Sequence, residues 1–195
     1  MEKDKDDELD IFAGLEEEID ILDENGNNTG EHKTYDEVHG QGLLHLCVHV
    51  WFVNSIGQIL LQKRSKYVRV YKECWDSSAS GHVTSGQGSL GTMQKETREE
   101  LGLDLPQEAF EYLFRVKEKY TVNNGAFIEN AFNDIYLVHS DLAIEEFKFD
   151  KDEVKEIKWI DIEEFKKWTK GEGEIVVPHN EEYEKLFEYL ITTKN

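Results

Sequence analysis

Residues 81–103 read GHVTSGQGSLGTMQKETREELGL, a glycine-rich approach followed by a run dense in helix formers. The pattern predicts a helix over 89–101, closed by Gly102 as its C-terminal cap. Within it Glu96, Glu99 and Glu100 recur at helical spacings of three and four, which sets three carboxylates on one side. Leu90, Met93, Thr97 and Leu101 form a stripe beside them, so the helix is expected to pack along the stripe and leave the acids open. Like charges at these spacings oppose one another by a few tenths of a kcal/mol per pair, and Lys95 and Arg98 offset this only in part. A hard divalent cation such as Mg²⁺ would offset it better, because it takes carboxylate oxygens and bridges to phosphates. The plain alternative is an ordinary solvated charged helix.

Upstream, Glu18–Leu22 alternates into the turn-rich Asp23–Asn27 and reads as a strand entering a hairpin. His45–Val53 is β-branched and aromatic, turns through Asn54–Gly57 and returns over Gln58–Gln62. Downstream, Glu111–Tyr120 and Ala126–Val138 read as strands around the Asn123-Asn124-Gly125 turn, and Val154–Ile160 as another. Asp161 is expected to cap a helix running to Lys170, with a last helix over Glu181–Leu190. Strands with one central and two terminal helices, without repeats, make an α+β chain around a mixed β-sheet. Residues 1–16 read as an acidic tail and 17–195 as one domain.

The 195 residues carry 42 acidic and 22 basic side chains, a net charge of -20. That balance opposes phosphate backbones and anionic lipid, so neither long nucleic acid nor a membrane surface is an expected partner. No apolar run reaches the roughly 18 residues of a spanning helix, and the charged start MEKDKDDELD is unlike a signal peptide, so the expected location is cytoplasmic. Cys47 and Cys74 read as buried free thiols. The acids concentrate at the two ends, and residues 59–72 hold Lys63, Arg64, Lys66, Arg69 and Lys72 with no acid at all. This basic island is a candidate anion site, with a solvated strand end as the alternative.

The segment 81–103 resembles the signature of the Nudix family, G-x5-E-x7-R-E-U-x-E-E-x-G-U with U apolar. Gly81, Glu96, Glu99, Glu100, Gly102 and Leu103 match, while Gln87, Lys95 and Thr97 depart from it. Lys95 keeps the charge of the usual arginine but not its planar fork, and Gln87 cannot neutralise a cation. The same stretch also satisfies G-x-G-x-x-G from Gly86 to Gly91. That motif needs a βαβ unit, which the strand-rich flanks do not supply.

The resemblance implies an α/β/α Nudix sandwich in which Mg²⁺, or Mn²⁺, is held by Glu96, Glu99 and Glu100. It further implies water attack on a small diphosphate substrate, with the choice of general base open among these three and Glu129. Lys63, Arg64, Arg69 and Gly81 would then meet the phosphates. His45–Ser65, Trp75–His82 and Phe127–Asn130 are similar to the branch that includes isopentenyl-diphosphate isomerase. Isomerases of that branch use a Cys before the Gly-His pair and a metal site of histidines with an E-N-E segment. Ser80 stands at the Cys position and E-N-E reads Glu129-Asn130-Ala131, while His45 and His82 are retained. A hydroxyl is a poor substitute for a thiol in protonating an alkene, which favours a hydrolase of nucleoside- or prenyl-diphosphate-type substrates over an isomerase. A ligand-binding protein on the same scaffold is the third reading, motivated by Gln87 and Lys95. The substrate's second group stays open, as does assembly, with a homodimer among the states allowed.

Overall fold

The structure is a computed structural model and describes residues 17–192, so the acidic segment 1–16 lies outside the described residues. A short hairpin, β1 (Glu18–Leu22) and β2 (Asn28–Thr34), opens the described chain and leads into α1 (Tyr35–Gln41). Seven strands then build one sheet: β3 (His45–Val53), β4 (Gln58–Arg64), β5 (Trp75–Asp76), β6 (Ala79–His82), β7 (Glu111–Val122), β8 (Phe127–His139) and β9 (Val154–Asp161). The path runs β5-β4-β3-β8-β7, with β6 paired to β3 and β9 to β4. The β3–β8 pair is parallel and the other pairings are antiparallel, giving the expected mixed sheet. Helix α2 (Ser89–Leu101) sits between β6 and β7, and α3 (Ile162–Trp168) and α4 (Asn180–Thr192) close the chain.

Strand alternation sends successive side chains to opposite faces, and β3 and β4 use both. Trp51, Val53, Ile59 and Leu61 join Phe165, Trp168, Tyr183 and Leu186 of α3 and α4 in one core. Val48, Val50, Phe52 and Leu60 join Met93 and Leu101 of α2 in the other. Helices therefore cover both faces of the sheet, the expected α/β/α sandwich. No helix of the described residues is long and apolar enough to cross a membrane.

Two local readings differ from the sequence expectation. Asp161 occupies the N-cap of α3 but makes no side-chain capping bond, and the helix ends at Trp168 instead of Lys170. Cys47 is buried as expected, but Cys74 is half-buried; both are free thiols.

The feature that positions the site is a divergence. β3 pairs with β4 only at Phe52↔Leu60 and Val53↔Ile59, after which β6 takes its place beside Cys47–Val50. A cleft of about 740 Å³ opens there, lined by Cys47 and His49 of β3, Gln62 and Arg64 of β4, and Ser80 to His82 of β6.

Candidate active site

Of the acids of α2, Glu100 lines this cleft, while Glu96 lies against Gly81 of the lining and Glu99 is outside it. Glu99 is exposed, whereas Glu96 and Glu100 are buried at 9% and 7% exposure. The expectation of three open carboxylates is corrected here, and the reason is Gly81. A Cβ on Gly81 would stand 2.3 Å from Glu96 Cδ, so only glycine lets β6 lie against this carboxylate. Gly102 is required for a second reason: it caps α2 at φ 70°, a left-handed backbone, with the Lys148 carbonyl close behind.

Glu100 Oε2 accepts from the Ser80 amide at 2.9 Å and from Gln62 Nε2 at 3.2 Å. Lys95 Nζ lies 3.4 Å from Glu96, 3.5 Å from Glu99 and 3.7 Å from Glu17. Burial is the main influence on both buried acids. It pushes Glu96 up to about 7, reinforced by Glu99, Glu153 and Glu17 and opposed by Lys95. Glu100 is pushed well above the carboxylate range by burial and by the charges of Glu96 and Glu153. Two adjacent buried acids with too little positive charge form a donor set of hard oxygens suited to a divalent cation. Gln87 is exposed in the loop before the helix and does not line the cleft, which is consistent with its departure from the signature.

A second constellation lies at another wall of the cleft. His39 of α1, His45 of β3, His82 of β6 and Glu129 of β8 bring candidate ligand atoms within 4.8 Å of one another. Glu129 is 3.1 Å from His45 Nε2 and 3.5 Å from His39 Nε2, and the Nε2 atoms of His39 and His82 are 3.2 Å apart. The outer nitrogens of His39 and His45 are held by the carbonyls of Tyr35 and Leu43, which orients both rings inward. His45 Nε2 and Glu129 Oε1 are buried without a hydrogen-bond partner despite their approach, as expected where a cation is the missing partner. Burial tends to raise the Glu129 carboxyl, but the adjacent His39 and His45 outweigh it and hold it well below the usual range. Burial and the neighbouring His45 and His39 hold His82 well below the histidine range, as a neutral imidazole. The E-N-E departure is visible too: Ala131 pairs in register with His45 and offers no oxygen there.

The basic island divides. Arg64 lines the cleft, with Nη1 3.1 Å from Asp76 and Nε donating to the Val70 carbonyl at 3.2 Å. Arg69 also lines it, paired with Asp36 and lying 4.6 Å from the Tyr35 ring centroid. Lys63 does not: alternation turns it to the far face of β4, over Trp75 and 3.7 Å from Glu174.

Sequence reasoning missed His39, and with it α1. A signal was present, since Thr34-x-x-Glu37 forms a capping box and Gly42 closes the helix in the left-handed region. It also missed the inner floor of the cleft, where His179 bonds Asp76 at 3.1 Å and Glu118 at 2.9 Å, and His49 bonds Glu182 at 2.8 Å. His49 was legible as the second strand alternate after His45. His179 and Glu182 are contributed by the far C-terminal segment, and no local pattern announces them.

The comparisons with known proteins agree with this geometry. The chain matches the NUDIX domain over residues 43–177. It is 41% identical over 180 residues to Nudix hydrolase 3 of Arabidopsis thaliana, covering 90% of this chain but only 23% of that protein's length. An uncharacterized Nudix hydrolase of Listeria monocytogenes is 30% identical over 160 residues, covering 82% of this chain and 88% of its own. The isopentenyl-diphosphate Delta-isomerase of Citrobacter koseri is 29% identical over 148 residues, covering 75% and 78%. In fold, the chain is similar to a Deinococcus radiodurans protein of known structure, with TM-score 0.63 and 19% identity over 82% of this chain and 92% of that one. With the signature helix at a cleft where β3 and β4 diverge, and a domain match covering most of its length, this chain belongs to the Nudix family.

Proposed function

We propose that this chain is a metal-dependent hydrolase that splits a diphosphate linkage in a small substrate of the nucleoside- or prenyl-diphosphate type. The observation that carries this reading is the burial of Glu100 in the cleft with Glu96 close behind Gly81, both pushed up by burial first and by neighbouring acids second. Glu96, Glu99 and Glu100 would hold Mg²⁺ or Mn²⁺, and His39, His45, His82 and Glu129 fit a second ion, by the orphaned His45 Nε2 and Glu129 Oε1. Bound there, a divalent ion offsets phosphate charge and lowers the pKa of water.

The chain's own residues supply the rest. Arg64 and Arg69 line the cleft as donors for the phosphates. Gln62 and the Ser80 amide steady Glu100, and one carboxylate of the α2 set accepts the proton of the attacking water. Tyr67, Tyr71 and Tyr120 give the cleft a ring-bearing wall for the group beyond the diphosphate.

The test is a panel of nucleoside and prenyl diphosphates incubated with the protein and Mg²⁺ or Mn²⁺, with products read by phosphorus NMR. A monophosphate or inorganic phosphate should appear with wild type and not with Glu99→Gln or Glu100→Gln. No cleavage across the panel, or equal cleavage by the variants, overturns the reading.

The histidine–glutamate constellation favours a second reading, an isopentenyl-diphosphate isomerase-type activity. Against it stand Ser80 in place of a thiol and Ala131 in place of the second carboxylate. Deuterium uptake by isopentenyl diphosphate from heavy water would support it.

A further inference from the structure

Alternation along β3 puts His45, Cys47, His49 and Trp51 on one face. His45 belongs to the constellation described above, and Trp51 to the α3/α4 core. His49 lies between them and has no part in the mechanism so far. Its Nδ1 donates to Glu182 Oε2 at 2.8 Å, and the other oxygen of Glu182 accepts from Trp51 Nε1 at 2.7 Å. Glu182, on α4, is 1% exposed and accepts only, so it fixes the ring orientation and keeps the proton on Nδ1. Among the described residues Nε2 has no hydrogen-bond partner, and His49 lines the cleft. A buried carboxylate behind one ring nitrogen of a histidine that lines a substrate-sized cleft is an arrangement suited to proton transfer.

Its position fits that work. His49 pairs in register with Ser80, whose amide holds Glu100 Oε2 at 2.9 Å. Side chains paired across neighbouring strands lie about 5 Å apart on one face, so the ring stands one strand from the residue whose amide holds Glu100. The groups facing it are Glu182 from α4, and His179 and Asp76 from the cleft floor, where the His49 and His179 ring centroids are 4.7 Å apart. Glu118 and Arg64 complete the network through His179 and Asp76. Its three carboxylates, Glu182, Asp76 and Glu118, face Arg64 and the imidazoles of His49 and His179. Burial alone would lower the histidine, but the charge and hydrogen bond of Glu182 outweigh it and raise His49 above its usual value.

We propose that His49, oriented by Glu182, is the general acid that protonates the leaving oxygen. This rests on the hydrolase reading. As the bond from water oxygen to phosphorus forms, the water proton passes to a carboxylate of α2. The bond from phosphorus to the bridging oxygen breaks with its electron pair left on that oxygen, which takes the proton from His49 Nε2. A neutral imidazole remains on Glu182 and regains its proton from solvent, while the α2 carboxylate releases to solvent the proton it took from water.

The test is steady-state kinetics of wild type, His49→Gln and Glu182→Gln from pH 5.5 to 9.5, with two diphosphate esters whose leaving groups differ in basicity. Wild-type kcat should fall on the alkaline side as His49 loses its proton. His49→Gln should lower kcat by about 10²-fold with little change in KM, abolish that limb, and lose less with the better leaving group. Glu182→Gln should shift the limb to lower pH, because the carboxylate that raises the imidazole is gone; a purely structural tie would leave it in place. The wild-type ring, titrated through its nitrogen NMR shifts, should change charge at the pH of the limb. A mismatch there overturns the assignment even if a variant does not fold. So does an active wild type whose rate and limb are indifferent to His49→Gln. A wild type that cleaves nothing overturns the hydrolase reading, and the acid role with it.

Discussion

The cleft holds two carboxylate regions that behave oppositely. On α2, burial pushes Glu96 and Glu100 up, and neighbouring acids add to it: Glu99, Glu153 and Glu17 at Glu96, and Glu96 and Glu153 at Glu100. At Glu129, a carboxylate equally buried is held down, because the adjacent His39 and His45 outweigh the effect of burial. Burial is the same in the two places, so the neighbouring charge decides the direction. The first region is a pair of buried carboxylates with little positive charge beside them, and the second is a carboxylate set among imidazoles.

The largest effect that separates them is on the reaction. Glu100→Gln should lower kcat by about 10³-fold, since it removes a charge that the α2 site needs, and an equal loss with Lys95→Met would break the distinction. Next comes stability in chelator-treated protein. Glu96 is raised to about 7, so between its usual value of 4.5 and that pH the folded state holds a proton the unfolded state has released. Stability should therefore fall as pH rises through that window, by about 3 kcal/mol, and Glu96→Gln should flatten the slope in denaturant titrations. Glu129 has the opposite sign: its contribution is present above the ordinary carboxylate value and is lost as pH falls through its depressed folded value. Glu129→Gln should accordingly remove a loss on the acid side and leave the neutral slope unchanged.

A smaller effect should follow Gly81→Ala. The added Cβ meets Glu96 at 2.3 Å, so thermal unfolding should show about 1–3 kcal/mol of destabilisation and kcat about a 10-fold loss. Smallest is Lys95→Met. Its ammonium is partly exposed and 3.4 Å from Glu96, and the expected change is a few-fold in kcat, read in the same assay.

The same contrast explains what was legible from the residues alone. The α2 region is contiguous: Gly81, the three glutamates and Gly102 lie within 22 positions of chain, and their spacing carries both the helix and its chemistry. Strands β3, β4, β7, β8 and β9 were readable for a similar reason, since alternation and turn residues are local. The burial of Glu96 and Glu100 was not, because it depends on β6 arriving against α2 without a Cβ. The histidine constellation is assembled from α1, β3, β6 and β8. His45, His82 and Glu129 could be suspected singly, but their convergence belongs to the sheet order. Lys63 shows a limit of reading charge in runs: adjacent basic residues on a strand face opposite sides.

The most direct test is hydrolysis of a diphosphate ester in ¹⁸O-labelled water with Mg²⁺, followed by phosphorus NMR of the products. The account predicts cleavage that depends on Glu100, with the label carried by one phosphate product. No cleavage, or products whose phosphates carry no label, would contradict it.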